Sequence, residues 1–502
     1  MKHHRLLQPA FLLIIALGLV QQGSATTPDA DLIFDDSLFA EPFPFDEQED
    51  ADSWLDGFTI KISQQFFGQV NHHGVTLEPG LSFEREPELE NSRLGINVRY
   101  QNPFAPGWLL QASAQSRFYW PGDYEYEAAG DKLDTEFRGN ELFVQRSFGQ
   151  HSIKFGRQTV VWGETVGNSV LDVINTSEFR DLTIIDIEDA RLNQWLLVWD
   201  YFATNADSSN SFSSSFSTFI NLYPDFNPTP VRGSPFFFEV PHNLVDYRRG
   251  GELLFEAGSQ WRRSVAGSDI AVMAAYLYEN QLRYDAPRSG GSGGGDGGDE
   301  SGAGDAVPVK NDYLLLGFSA NRALGRVLLN LDLAFSHGVL DNRLDFSGSS
   351  FSSNSPNNNP VNTSNNNPPS PLRQKKDRIG ASFGFEWAID NEQNMSLGIQ
   401  AQKVLDERGG LASDQMLVNE GVYGGWLVRY SNSLRNGDLL LSSTLQGNLE
   451  TDYVLMLLGM DYTLDDNWSI SGQIITIHAN SDSQLLFLDE DVRFGATLTY
   501  AF

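Results

Sequence analysis

From residue 58 to residue 502 one pattern recurs along the chain: a run of alternating apolar and polar residues, then a turn. "FTIKISQQFFGQV" puts Phe58, Ile60, Ile62, Phe66 and Val70 on one side of an extended chain, and "RLGINVRY" does the same for Leu94, Ile96, Val98 and Tyr100. The reason is geometric, since successive side chains of a strand point to opposite faces. The chain stops on another such segment, "VRFGATLTYAF". Here Val492, Phe494, Ala496, Leu498, Tyr500 and Phe502 share one face, and Arg493, Gly495, Thr497, Thr499 and Ala501 share the other. Further segments of this kind fall at 108–120, 140–148, 151–157, 193–202, 212–222, 249–261, 268–284, 311–322, 326–340, 376–389, 394–405, 422–431, 438–447, 452–464 and 468–478, which makes eighteen candidate strands.

A period of two over this many segments, with few helical periods between them, predicts an all-β protein. A sandwich or solenoid would bury the apolar faces in a core, whereas a membrane barrel turns them to lipid and keeps polar residues in a wet lumen. Three features favour the barrel. Trp108, Tyr119, Trp120, Trp195, Trp199, Tyr201 and Tyr276 sit near strand ends, where interfacial girdles belong. The opposite faces carry Gln, Asn, Arg, Ser and Glu, as in "LLGFSANRALGRVLLNLDLAFSHG". Tight and long connections also alternate, as periplasmic turns and extracellular loops do. The predicted fold is a single transmembrane antiparallel β-barrel of about 16–18 strands over residues 57–502.

The N-terminus places such a barrel. Lys2 and Arg5 precede the apolar run "AFLLIIALGLV" and the small residues Gly23–Ala25, which reads as a cleaved export signal over residues 1–25. The run is too short to span a bilayer as a helix. Beyond it no stretch approaches that length and the mean hydropathy is −0.30, so a closed barrel is the remaining way to satisfy backbone groups in lipid. An alternating last strand ending in Phe resembles the signal that outer-membrane barrels present to the barrel-assembly machinery, with Tyr500 and Phe502 as its aromatics. The expected location is a Gram-negative outer membrane, among its lipids and lipopolysaccharide.

The chain has no cysteine, which excludes disulfides, thiolate catalysis and cysteine-ligated metals. Its formal net charge is −32, and loss of Lys2 and Arg5 makes it more negative. That argues against nucleic acid and for divalent cations or neutral and cationic solutes, with solubility before assembly as the equal alternative.

Three stretches interrupt the alternation. The acidic leader 26–56 has no Lys or Arg; its composition suits a disordered periplasmic segment, or one that binds a partner or folds back into the pore. Two low-complexity regions, 286–308 with "SGGSGGGDGGDESGAGD" and 347–373 with "SGSSFSSNSPNNNPVNTSNNNPPSP", read as flexible extracellular loops. The Gly-Gly-Asp-Gly-Gly-Asp run fits the start of a calcium-binding nonapeptide, but it occurs once and lacks the following large apolar residue, so the loop reading is favoured.

A further stretch, 158–192, is too long for a turn and reads as an insert that enters the lumen or caps the periplasmic mouth. "GRQTVVWGE…DVIN", with Arg157, Gln158, Trp162, Glu164, Asp172 and Asn175, resembles the signature of the DUF1302-like outer-membrane family, whose function is unassigned. Its Gly-Arg-Gln is also similar to that of alginate-export-type porins. Thr176 stands where the family pattern has Pro. The resemblance implies transport across the outer membrane, with RND-type exporters or periplasmic carriers as partners, and implies no catalytic residues. Read physically, Arg157, Glu164, Arg180, Asp181, Asp186, Glu188, Asp189 and Arg191 bring opposite charges close in sequence. Such an insert selects solutes by field and size, or its charges hold it still. Trp162 packs, or stacks on a ligand.

Enzyme chemistry finds little footing. The Gly-x-Ser-x-Gly around Ser292 lies in the glycine loop rather than on a strand–turn–helix. His72 and His73 are adjacent and point apart if extended. The sequence thus predicts a non-enzymatic barrel without cofactor or metal, moving small or hydrophobic compounds. A sealed surface-interaction barrel is the alternative, and a barrel hydrolase assembled from dispersed residues is the less favoured third.

Overall fold

The computed structural model describes residues 57–71, 75–78, 81–83, 89–120, 135–167, 169–178, 190–204, 213–228, 253–265, 267–285, 307–340, 375–405, 422–449, 452–480, 483 and 485–502. The segments 1–25 and 26–56 lie outside these residues, as do 347–373 and, apart from Val307 and Pro308, 286–308.

Eighteen strands form one sheet. They are β1 (Phe58–Asn71), β2 (Leu89–Ala105), β3 (Trp108–Tyr119), β4 (Thr135–Phe148), β5 (His151–Gln158), β6 (Gln194–Thr204), β7 (Ser213–Asn221), β8 (Glu256–Val265) and β9 (Ser268–Tyr278). They continue with β10 (Asp312–Leu324), β11 (Val327–Leu340), β12 (Lys375–Ala388), β13 (Gln393–Leu405), β14 (Val422–Leu434), β15 (Leu439–Asn448), β16 (Tyr453–Thr463), β17 (Trp468–Ala479) and β18 (Val492–Ala501). Each pairs antiparallel with the next. β18 then closes on β1, with Ala501 opposite Lys61 and Arg493 opposite Gln69. Closure leaves no unpaired edge, which is the condition for strands to lie in hydrocarbon.

One end of the barrel is made of tight turns, such as 106–107, 149–150 and 325–326. Gly107, with φ of +74°, permits the first of these, because a residue with a Cβ rarely adopts that conformation. The N-terminus of β1 and Phe502 lie at this same end, where the Phe502 amide donates to the Ile60 carbonyl at 2.9 Å. The other end carries the long connections, including the one from β5 to β6.

The pleat sorts the side chains. In β18 the row of Phe494, Leu498 and Phe502 faces outward, with Phe494 and Phe502 55% and 67% exposed. Arg493 of the opposite row is 2% exposed inside the barrel. Leu331 and Leu333 of β11, Leu314 and Leu316 of β10 and Phe155 of β5 extend the outward apolar band. Trp108, Trp387, Trp468 and Tyr500 occur near the tight-turn end, where the Arg146 guanidinium sits 4.7 Å from the Trp108 ring and Trp468 meets Tyr500 edge-on at 4.8 Å. Trp120 and Trp195 lie near the opposite end. Tyr119 does not belong to this girdle: pairing opposite Arg93 turns it inward, and its hydroxyl donates to Glu136 at 2.8 Å.

Among the described residues, two apolar clusters lie inside the ring. The larger joins insert residues to β6, β7 and β9–β11. The smaller joins Phe67, Leu455, Leu457, Ile475 and Ile477 to Leu488 of the β17–β18 connection. Phe67 also covers Gly495, where an added Cβ would strike the ring.

A basic residue in mid-strand on the outward row must be buried in lipid, at a cost of about 2–4 kcal/mol. Leu333→Arg is therefore expected to lower stability in bilayers by about that amount, while Ser471→Arg, on the inward row, changes it by less than about 1 kcal/mol. Denaturant titration of the barrel refolded in vesicles measures both.

Candidate functional site

The β5–β6 connection turns into the lumen instead of projecting from the rim. β5 ends two residues beyond Gly156, whose φ of +139° favours glycine and whose added Cβ would strike the Leu142 carbonyl. Gln158, buried, donates to the Leu196 carbonyl at 3.2 Å. The chain then descends through Val160 and Trp162 to Glu164, crosses the inner wall and climbs back through Leu171 to Asn175. Asn175 clamps the two limbs: its side-chain oxygen accepts from the Val160 amide at 3.0 Å and its amide donates to the Val160 carbonyl at 2.8 Å. Asn280 donates to the carbonyls of Val173 and Asn175 at 2.9 and 2.7 Å. A two-residue ribbon, Thr176–Ser177 with Arg191–Leu192, closes the base.

Two further devices seat the insert. The first is apolar. Trp162, 2% exposed, meets Phe219 edge-on at 5.4 Å. Val170, Leu171 and Ile174 pack among Leu196, Val198, Ala271, Met273 and Leu315. The wall beneath them is bare: Gly258, Gly317, Gly380, Gly384 and Gly398 lie in inward rows of β8, β10, β12 and β13. An added Cβ on Gly258 would come within 2.6 Å of Trp162, and one on Gly317 within 2.6 Å of Leu171. On Gly380 it would press on Val170 at 3.1 Å, on Gly384 on Thr165 at 3.3 Å, and on Gly398 it would strike the Val166 carbonyl. Glycine weakens a strand interior unless something approaches the backbone closely; here the insert does.

The second device is polar. Asp332, in the inward row of β11, is fully buried. Its carboxylate accepts from the backbone amides of Glu164 and Thr165 at 3.2 and 3.0 Å. It also accepts from the hydroxyls of Thr165, Ser169 and Ser319 at 2.7, 2.6 and 2.7 Å. A buried carboxylate needs such partners to offset its desolvation, and these are drawn from both insert and wall. Ser382 adds a bond to the Val170 amide at 3.1 Å.

The charges anticipated from sequence scatter. Glu164 forms an ion pair with Arg262 of β8 and accepts from Asn321 at 3.3 Å. Burial raises its carboxyl above the ordinary range, and Arg262 and Asn321 pull it back. Asp172 pairs with Arg191 at 2.8 Å. Arg157 is not part of the insert: it lies opposite Leu142 and Trp195 in an outward row and meets Asp225 at 3.7 Å. Arg180, Asp181, Asp186, Glu188 and Asp189 lie outside the described residues.

Asp332, Arg262 and the glycine track escaped sequence reasoning. The glycines left a signal, as interruptions at inward positions of strong strands. Asp332 left only a charge on a polar face.

Across from the insert, the inward rows of β1–β5 carry Lys61, Arg93, Arg99, Arg117, Arg138 and Lys154. Glu136 meets Arg138 at 3.3 Å and Arg117 at 3.9 Å, and Arg138 reaches Glu178 of the insert at 2.5 Å. In a chain so acidic overall, this segment of wall is locally basic. On the adjoining side Asp491 binds Arg493 at 2.6 Å and Gln69 at 2.9 Å.

No family model and no curated protein matches the chain. Among solved structures it is similar to Acinetobacter baumannii OccAB1, at 10% identity over 91% of this chain and 99% of that one, with a TM-score of 0.45. Pseudomonas aeruginosa OccK9 (OpdG) gives 10% identity over 90% and 100%, with a TM-score of 0.44. A mutant of Rh. blastica porin gives 11% over 89% and 100%, with a TM-score of 0.35.

Asp332→Ala removes the acceptor of two amides and three hydroxyls, and leaving such groups unsatisfied costs about 1–3 kcal/mol each where water cannot reach them. The expected outcome is a barrel that still folds but whose residues 160–177 become protease-sensitive. Gly317→Leu is expected to do the same by filling the seat of Leu171. Limited proteolysis with mass mapping checks both.

Proposed function

We infer that the protein is an outer-membrane channel whose passage is bounded on one side by the seated insert and on the other by the basic wall of β1–β5. The observation that carries this reading is the docking of residues 160–177 on Asp332 and the glycine track, because a segment fixed inside a closed barrel sets its free cross-section. Opposed acidic and basic groups then weight solutes by charge as well as size. Outside the two apolar clusters the inward rows carry Gln, Ser, Arg and Glu, which supports small water-soluble solutes over hydrophobic ones. Coupling to an RND-type exporter rests only on the resemblance of residues 156–175, and the reading assigns no catalysis.

A second reading is favoured by the other inward packing. Leu488 and Asp491 bring the β17–β18 connection against Phe67 and Arg493, so the two fillings together could seal the barrel.

Planar-bilayer recording of the refolded mature chain decides between them. The channel reading predicts a steady open conductance, raised and made noisier by Asp332→Ala. A silent, correctly folded barrel that Asp332→Ala leaves silent would favour the sealed form.

A further inference from the structure

The inner wall has a niche that neither the insert nor the basic wall uses. In β14, Gly425 occupies an inward position between Tyr423 and Leu427, with Gln400 of β13 opposite it. The missing side chain opens a cavity of about 260 Å³, floored by Gly424, Gly425 and Gly447. Its sides are Gln400, Gln446, Tyr423 and Tyr453. Trp426 folds over Gly447 from the outward side, where an added Cβ would lie 3.0 Å from the indole.

Its chemistry is narrow. Among the described residues no charged side chain lines the niche, which favours a neutral occupant over an ion. Two primary amides offer donors and acceptors together, which suits hydroxyl groups that both give and receive hydrogen bonds. The tyrosine rings offer flat apolar surface for the C–H face of a small ring. Tyr423 is held in place, accepting from Arg378 at 3.1 Å and donating to Gln402 at 3.1 Å. The volume lies below the roughly 300–1,000 Å³ of sites for drug-sized ligands, which limits the occupant to about one ring.

The location is also informative. Leu427, the next inward residue of β14, touches the insert at Gly167, where an added Cβ would be 3.3 Å from its side chain. The niche therefore lies one pleat from the insert contact, on the side of the long connections.

We propose that this niche is a binding station for a neutral polyhydroxylated ring, a monosaccharide or cyclitol, held beside the constriction. The proposal rests on the channel reading for its purpose, but not for its chemistry.

D-glucose, with benzoate as a charged ring of similar size, tests it on the refolded full-length mature barrel. Calorimetry should register glucose binding and no benzoate binding, and glucose should interrupt the single-channel current. Gln400→Leu with Gln446→Leu removes both amides and is expected to weaken glucose binding by about tenfold or more, with ionic conductance unchanged. Gln446→Glu, which puts a charge in the niche, should weaken it as well and serves if the double variant does not fold. A conducting barrel indifferent to glucose overturns the niche and leaves the channel reading standing. A barrel that binds glucose through these glutamines but passes no current keeps the niche and overturns the channel reading. Equal binding by wild type and variants, or preference for benzoate, overturns the proposal.

Discussion

The buried carboxylate of Asp332 fixes what this barrel can do. A carboxyl group with no exposure is tolerated only when its oxygens are met by donors. Asp332 finds them by drawing two backbone amides and two hydroxyls of the insert onto the wall. Without that anchor the turn at residues 164–169 would expose amides to the lumen, and Trp162 and Leu171 would keep only their apolar seat. The glycine track follows from the same requirement: for the insert to reach Asp332 it must lie close against the sheet, and side chains on β8, β10, β12 and β13 would hold it away.

Among the described residues the insert packs on one part of the wall and not on the rest, which makes the lumen sided. The side from β6 to β14 that the insert packs on is apolar and buried around Trp162. The wall from β1 to β5 presents six cationic side chains in inward rows, two of which, Arg117 and Arg138, meet Glu136 or Glu178. Charge on the chain as a whole is strongly negative, so this basic wall is a local feature that bulk charge conceals. The expectation drawn from bulk charge, that cations or neutral solutes are preferred, thus speaks for the whole surface and not for the lumen wall.

The barrel was legible because period-two alternation is local. All eighteen segments picked out by pattern overlap a strand of the sheet, and the outward face assigned to Phe494, Leu498 and Phe502 is the outward face of the last strand. Boundaries were less legible: the segment placed at 249–261 forms β8 at Glu256–Val265, and β2 starts at Leu89, ahead of the residue 93 expected. Tyr119 was assigned to the girdle from its place near a strand end, but pairing with Arg93 rather than distance to the end decides its face. The insert was legible as an interruption, whereas its seat was not. Asp332 is 163 residues from Ser169, and no local signal says which charge on a polar face will be buried. Arg157 misled because Gly-Arg-Gln is the last part of β5 rather than the start of the insert, so its register on that strand places it outward.

Backbone hydrogen exchange of the intact barrel at residue resolution tests the docking of the insert most directly. If the insert is seated, the amides of Glu164, Thr165 and Val170, bonded to Asp332 and Ser382, should exchange as slowly as those of the neighbouring strands, because opening them requires displacing a packed core. Exchange at these amides as fast as in an unprotected loop, in a barrel whose strands remain protected, would contradict the account.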